Sequence, residues 1–396
     1  MISNFVNYFK RKKISRALII CMCKFLSLIN KILPKRSTNI LLYVSSRDFL
    51  NDNTEAIYNY LLRENYDKKY RIICCVPKSN DKKENNYVGY LAGIWYYLTS
   101  KYVFFSYGDF RIKPSKKQVV VNQWHGTPIK NICKLLNDGK YKNEDLDTFS
   151  LLVSSSENIS PLYAKAFGCR HEKVKELGYA RNDYLYSSKY TLDLLGIDKN
   201  KYSKIILWMP TFRMDKDDNT IINGKVTETF LPIMTTDESL QRLNDFLVAN
   251  NILLILKIHP IAKFNKFDYS NLLLLYNEDL YIKGIKLYEF VKDVDSLITD
   301  YSSIISDYLL VDKPIGFTLD DFDDYAENRG FAIDNVKEYF PGKHIYCEND
   351  FYEYILDIKK EKDLYKEKRK EVCKFFNKYN DSNNCFRLLN YVGIAK

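Results

Sequence analysis

His125 is one of only four histidines in a chain of 396 residues, and it stands near the tip of Val119–Lys130, VVVNQWHGTPIK. The three valines predict a short buried strand, and Thr127 followed by Pro128 predicts a helix entry, with Thr as N-cap and Pro at the first helical position. On that reading a helix over Ile129–Leu136 begins directly after His125-Gly126. Its N-terminus would offer unpaired N–H groups and partial positive charge to an anion, and Gly126 would let a substrate approach the backbone. An imidazole in that place is a candidate general base at near-neutral pH. The alternative is a structural turn in which His125 caps or packs.

Three further segments place polar residues just beyond an apolar strand. Ile205–Met209 runs into Pro210-Thr211-Phe212-Arg213, Ile252–Ile258 into His259-Pro260, and Ser296–Thr299 into Asp300-Tyr301-Ser302-Ser303. Ligands of open α/β sheets bind outside such strand ends, so the four segments are expected to share one cleft. After Ser303, the residues Ile304, Ile305, Tyr308 and Leu309 recur at helical spacing and predict a helix ending before Lys313-Pro314. Two serine hydroxyls with backbone amides at that helix start would cradle a pyrophosphate. Asp300 or Ser302 acting only as an N-cap is the alternative, and both roles can coexist. Lys257, just before His259, reads as structural, and Trp124 as a packing residue.

The elements that must position these residues alternate. Strand Asn39–Val44, helix Glu55–Glu64, strand Tyr70–Cys75, helix Leu91–Leu98, strand Tyr102–Phe105 and the Val119 strand predict a parallel sheet, completed by Leu151–Ser154 and Lys173–Leu177. A second alternating set begins near Lys204 and continues through Ile252–Ile258, Leu272–Tyr276, Ser296–Thr299 and Pro314–Phe317. Asp215–Val226, polar and containing Asn223-Gly224, reads as an exposed loop and candidate lid. From Phe351 onward the chain is helical and charged. The length suits two ordinary domains, and neither a low-complexity tract nor a solenoid repeat is present.

The formal charge of +10 calls for an anionic partner: a membrane surface, a polyanionic acceptor or, without any zinc-finger or RNP signature, least of all nucleic acid. Basic residues cluster at Lys10–Lys13 with Arg16, and again at Lys31, Lys35 and Arg36. Between them lies Ala17–Leu33, where Leu18, Met22, Phe25, Ile29 and Ile32 recur at helical spacing. Interrupted by Lys24, the run is short for a membrane span, which wants ~20 apolar residues. It fits a helix lying in the interface of an anionic membrane. A signal peptide is disfavoured for want of a small-residue cleavage site before Pro34; a helix packed on the domain is the other alternative. Nine cysteines show no CxxC pair and no zinc spacing, so reduced thiols in a cytoplasmic protein are the simplest reading.

Six segments in order resemble the CDP-glycerol glycerophosphotransferases of teichoic-acid synthesis, whose members include primases, polymerases and capsule-building relatives. They are Trp124–Lys130, Gly178–Asp183, Pro210–Arg213, Lys257–Pro260, Thr299–Ser303 with Asp307-Tyr308, and Tyr325–Phe331. One departure is Ser45–Ala56, which has the asparagine of the family's first loop but neither its glycine nor its Asn-Pro pair.

The resemblance implies an α/β fold of the glycosyltransferase-B type, two Rossmann-like domains facing a central cleft. The corresponding division is a basic membrane-association segment over 1–36, an acceptor-side domain over 37–195, a CDP-donor domain over 200–348 and C-terminal helices over 350–396 that return to the first domain. It also implies that a hydroxyl of a lipid-linked or polymeric acceptor attacks the glycerol-bearing phosphorus of CDP-glycerol, releasing CMP. His125 and His259 are the implied catalytic residues; Thr211, Arg213, His259, Asp300, Ser302, Ser303 and Arg329 the donor-binding ones; Trp124, Gly126, Thr127, Arg181 and Asn182 the acceptor or loop support. These types suit phosphoryl transfer, which depends on positioning and on neutralising phosphate charge, and an arginine fork engages two phosphate oxygens at once. A surface ion pair is the alternative for Arg213 and Arg329. No metal site and no certain cofactor is read, with Mg2+ at the diphosphate left open. CDP-ribitol or a sugar nucleotide as donor, and a non-catalytic membrane-bound assembly protein, are the competing readings. The implied location is peripheral, on the cytoplasmic face of the membrane.

Overall fold

The computed structural model describes residues 13–45, 49–77, 86–106, 110–137, 139, 141–211, 227–257 and 268–396, with side chains from residue 18 onward. The chain divides into two compact units. The first is Met1–His125, Asn143–Asp183 and Asp381–Lys396; the second is Gly126–Lys142 and Tyr184–Asn380.

The first unit is built on a seven-stranded sheet of β1 (Arg36–Tyr43), β2 (Arg71–Cys75), β3 (Tyr87–Val88), β4 (Ser100–Phe105), β5 (Val119–Asn122), β6 (Leu151–Ser154) and β7 (Val174–Glu176). Their spatial order is β3-β2-β1-β4-β5-β6-β7, and every pairing is parallel. Parallel sheets are covered on both faces, which is why Ile40–Tyr43, Tyr102–Phe105 and Leu151–Val153 are buried without alternation. Helices Asp52–Arg63, Tyr90–Thr99 and Ser160–Phe167 lie between strands in sequence, and Asn384–Tyr391 joins this unit from the far end of the chain. The Asp183 carboxylate fixes that last helix by accepting from the backbone N–H of Asn384 and of Cys385, both at 2.9 Å. Strand order reverses between β1 and β4, the place where doubly wound sheets open a ligand crevice.

The helix Lys13–Ile32 is held on this unit by one sector. Asn30 donates to Gln118 Oε1 and to the Lys113 carbonyl, each at 2.9 Å, and Ser27 Oγ accepts from the Lys113 N–H at 2.9 Å. The domain-packed alternative therefore describes that sector. A second sector is apolar and exposed: Leu18 at 65 %, Phe25 at 62 % and Ile32 at 85 %, with Met22 and Leu28 beside them. Among the described residues no helix is long and apolar enough to cross a membrane.

The second unit repeats the plan with β8 (Lys204–Met209), β9 (Ile252–Lys257), β10 (Leu272–Leu275), β11 (Ser296–Thr299), β12 (Ile315–Thr318) and β13 (Lys343–Ile345), ordered β10-β9-β8-β11-β12-β13 and again parallel throughout. Trp208, fully buried, meets Phe351 edge-on at 5.0 Å in a core shared with Leu243, Leu247, Leu254 and Ile355. Thr236 caps Asp237–Asn250 in a reciprocal pair with Ser239. The reversal here falls between β8 and β11.

One expectation needs correction. No α-helix follows Pro128: Ile129–Asn131 pairs with Gly330–Ala332, Lys130 bridging Phe331, Asn131 N–H donating to the Gly330 carbonyl at 3.0 Å and Ala332 N–H to that of Ile129 at 2.9 Å, and only a single 3-10 turn, Cys133–Leu135, follows. A residue before proline is pushed to extended geometry, and the β-branched Ile129 and Ile132 favour it further, so a remote partner outweighs the local cap signature. The contact-based units divide the chain differently from the sequence reading: Gly126–Lys142 and Tyr184–Leu195 fall in the second unit. The short edge strands β3 and β13 went unread.

Candidate functional site

In the second unit the reversal point brings two of the sequence segments together. β8 ends at Met209 and β11 at Thr299; Thr299 Oγ1 donates to the Met209 carbonyl at 2.7 Å. Beyond them Asp300, fully buried, accepts from Thr211 N–H at 2.7 Å, Thr211 Oγ1–H at 2.5 Å and its neighbour Tyr301 N–H at 2.6 Å. Thr211 is itself buried. These two residues thus join the strand ends, while the half-buried Ser302 and Ser303 are the loop members open to a ligand. The helix that follows is short, Ile304–Tyr308, and Ser303 makes no side-chain cap.

A third and a fourth segment reach the same unit. Thr127, read as a helix cap, instead accepts from Ser306 Oγ at 2.8 Å, both buried. Gly330 has φ +73°, and a Cβ there would fall 2.5 Å from Asn131 Nδ2, so only glycine lets the Tyr325–Phe331 segment lie against Asn131. Arg329, half-buried at the end of helix Phe322–Asn328, has an Nε without a hydrogen-bond partner among the described residues. A partly desolvated guanidinium with a spare donor suits an anion.

In the first unit His125 lies just past β5, beside the reversal point. Its Nδ1 is 3.4 Å from the Ser106 carbonyl at the end of β4. A carbonyl only accepts, so this contact takes the proton on Nδ1 and makes Nε2 the basic nitrogen. The ring is half-exposed and packs, tilted, on Trp124 with centroids 4.0 Å apart, and Trp124 is edge-on to Phe167 at 4.9 Å. Trp124 is held at φ +49°, a left-handed geometry that costs a non-glycine residue about 1–2 kcal/mol, and Gly126 adopts φ +148°. Arg181 and Asn182 are buried. Arg181 Nη1 meets the Asp52 carboxylate at 2.8 and 3.0 Å, and the Arg181 N–H donates to Asn53 Oδ1 at 3.1 Å, so Arg181 braces the start of Asp52–Arg63 rather than facing solvent. Arg213, His259 and the candidate lid Asp215–Val226 lie outside the described residues. Among the described residues no group of three or more His, Cys, Asp or Glu could hold a metal ion.

Residues 25–393 match the family model of CDP-glycerol:poly(glycerophosphate) glycerophosphotransferases. The chain belongs to this family. It is 29 % identical over 348 residues to the teichoic acid poly(glycerol phosphate) polymerase of Bacillus spizizenii, covering 81 % of this chain and 84 % of that protein. It is 27 % identical over 376 residues to the teichoic acid ribitol-phosphate polymerase TarL of Staphylococcus aureus, covering 90 % of this chain and 62 % of that longer protein. The structure of the wall teichoic acid polymerase TagF superposes with a TM-score of 0.73 at 20 % identity, over 99 % of this chain and 95 % of that one. The fold is accordingly the glycosyltransferase-B-like α/β fold of TagF.

Two residues of this family member's site escaped the sequence reading. Asn53 is fully buried in the first turn of Asp52–Arg63 and donates to the Trp124 carbonyl at 3.0 Å. Its signal was a polar residue on the same face as Ala56 and Ile57, which are buried. Ser306 sits among the apolar residues of a short helix, and its partnership with Thr127 spans 179 positions of sequence, which no local pattern reveals.

Proposed function

We propose that this family member transfers glycerol phosphate from CDP-glycerol to a hydroxyl of a membrane-linked or polymeric acceptor, releasing CMP, in the synthesis of a teichoic-acid or capsule-type polymer. The observation that carries the reading is the half-exposed His125 ring with Nδ1 turned to the Ser106 carbonyl. Its Nε2 takes the acceptor proton as the hydroxyl oxygen bonds to the glycerol-bearing phosphorus; the bond from that phosphorus to the bridging oxygen breaks, and the electron pair leaves with CMP. Arg329, Ser302 and Ser303, with Arg213 and His259, hold the diphosphate and stabilise the charge that develops on it. The likeness to TarL, a ribitol-phosphate polymerase, supports CDP-ribitol as the second reading.

The helix Lys13–Ile32 supports a peripheral location at a membrane surface. Its exposed stripe of Leu18, Met22, Phe25 and Ile32, flanked by Lys24 and Lys31, suits the interface of an anionic bilayer, where a lipid-linked acceptor would be found. The protein then works as a peripheral protein on the cytoplasmic face.

The test is CMP release from CDP-glycerol and from CDP-ribitol, each with a lipid-linked disaccharide or a glycerophosphate-primed acceptor. Acceptor-dependent CMP from one donor fixes both reaction and donor. Silence with both, despite donor binding, rejects the assignment.

A further inference from the structure

We propose that Asn53 is the positioning residue for His125, acting through the backbone of Trp124; the inference rests on the reading of His125 as the acceptor base. Three observations carry it. The Asn53 carboxamide has no solvent access, and both of its ends are engaged with backbone: Nδ2 donates to the Trp124 carbonyl at 3.0 Å, and Oδ1 accepts from the Arg181 N–H at 3.1 Å. A single side chain thus ties the loop after β5 to the Gly178–Asp183 segment.

The loop being tied is strained. Trp124 is left-handed, at φ +49°, and Gly126 lies at φ +148°, so the two residues flanking His125 occupy geometries that an untethered chain would leave. The Trp124 N–H donates to Asn122 Oδ1 at 2.9 Å and its carbonyl accepts from Asn53, so hydrogen bonds on both sides of that residue hold the conformation. The direction of the His125 ring follows from it, because ring and indole pack together with centroids 4.0 Å apart and planes tilted by 33°.

The anchor is itself locked. Asp52, at φ +55°, holds the Arg181 guanidinium through two contacts of 2.8 and 3.0 Å, with the side chains 10 % and 4 % exposed. A desolvated charge pair next to the carboxamide fixes where Asn53 can reach. Asn53 touches no reacting atom in this scheme; it decides where His125 Nε2 points.

The experiment is a double-mutant cycle on the full-length protein, reading acceptor-dependent CMP release as kcat and KM, with CDP-glycerol affinity measured separately by calorimetry. Asn53→Ala is expected to lower kcat roughly 10- to 100-fold, the range in which a misplacement of about 1 Å acts, and to leave donor affinity within about twofold. In a His125→Ala background the same substitution is expected to change the residual rate less than about twofold, because a positioning residue has nothing left to position.

Asn53→Asp separates the two ends of the side chain. It keeps an acceptor for the Arg181 N–H and loses the donor to Trp124, so it should be as slow as the alanine variant. It also carries the test if the alanine variant fails to fold. Wild-type kcat in a folded Asn53→Ala or Asn53→Asp protein overturns the proposal, as does an equal loss with and without His125. If His125→Ala alone leaves the rate intact, the reading of His125 has failed, and the cycle shows that separately from Asn53.

Discussion

Asp300→Asn is the substitution whose effect the structure defines most fully. The Asp300 carboxylate is fully buried and accepts from Thr211 N–H at 2.7 Å, Thr211 Oγ1–H at 2.5 Å and Tyr301 N–H at 2.6 Å. Hydrogen bonds to a charged group contribute about 1.5–3 kcal/mol each. An amide keeps the shape and one accepting oxygen, but it turns an NH2 toward donors and loses the charge. Bonds sharing one carboxylate do not add, so a net loss of about 3 kcal/mol is expected. For a unit of roughly 200 residues such a loss moves Tm by roughly 6–12 °C. The assay is thermal melting by circular dichroism beside CDP-glycerol titration, and the expected result is a lower Tm with donor affinity falling only as the folded fraction falls. An unchanged Tm with donor binding abolished would refute the argument and return Asp300 to direct contact with the donor.

Other substitutions test other parts. His125→Ala should cut acceptor-dependent CMP release about 10²- to 10⁴-fold while CDP-glycerol still binds, the range of a lost general base. Arg329→Gln should raise KM for the donor at least about tenfold and should leave the melt within about 2 °C, as the proposed role at the diphosphate of a half-buried side chain with an unpartnered Nε among the described residues predicts. Leu18→Glu with Phe25→Glu should lower co-sedimentation with anionic vesicles and preserve turnover of a soluble acceptor; unchanged sedimentation would remove the membrane role from the helix Lys13–Ile32. Burial holds His344 below the ordinary histidine value. The unfolded chain therefore takes up the proton first, and stability present above about pH 6.5 is lost as pH falls through that value toward the lower folded one. Tm measured from pH 7.5 to pH 5 should fall less in His344→Gln than in the native chain.

The comparison of sequence with structure turns on the range over which each interaction acts. Val119–Asn122, Ile252–Lys257 and Ser296–Thr299 were legible as strands because a parallel strand buried on both faces leaves an unbroken apolar run. The resemblance rested on residues crowded at those strand ends, and the match over residues 25–393 agrees with it. The helix Lys13–Ile32 was legible from its periodicity, but which sector would be covered was not: Asn30 and Ser27 find Gln118 and Lys113 more than 80 positions away.

The sequence by itself determined which stretches are the central buried strands, which residues stand at their ends and to what family the chain belongs, because strand burial and side-chain chemistry are written locally. Tertiary structure alone decided that Thr127-Pro128 opens an extended segment against Gly330–Ala332, that Asp300 and Thr211 satisfy each other, and that Asn53 reaches Trp124. Each of those outcomes is a choice between a local partner and a distant one. A local partner costs little chain entropy and can be predicted from spacing; a distant one wins only when the folded sheet has already brought it within 3 Å or so.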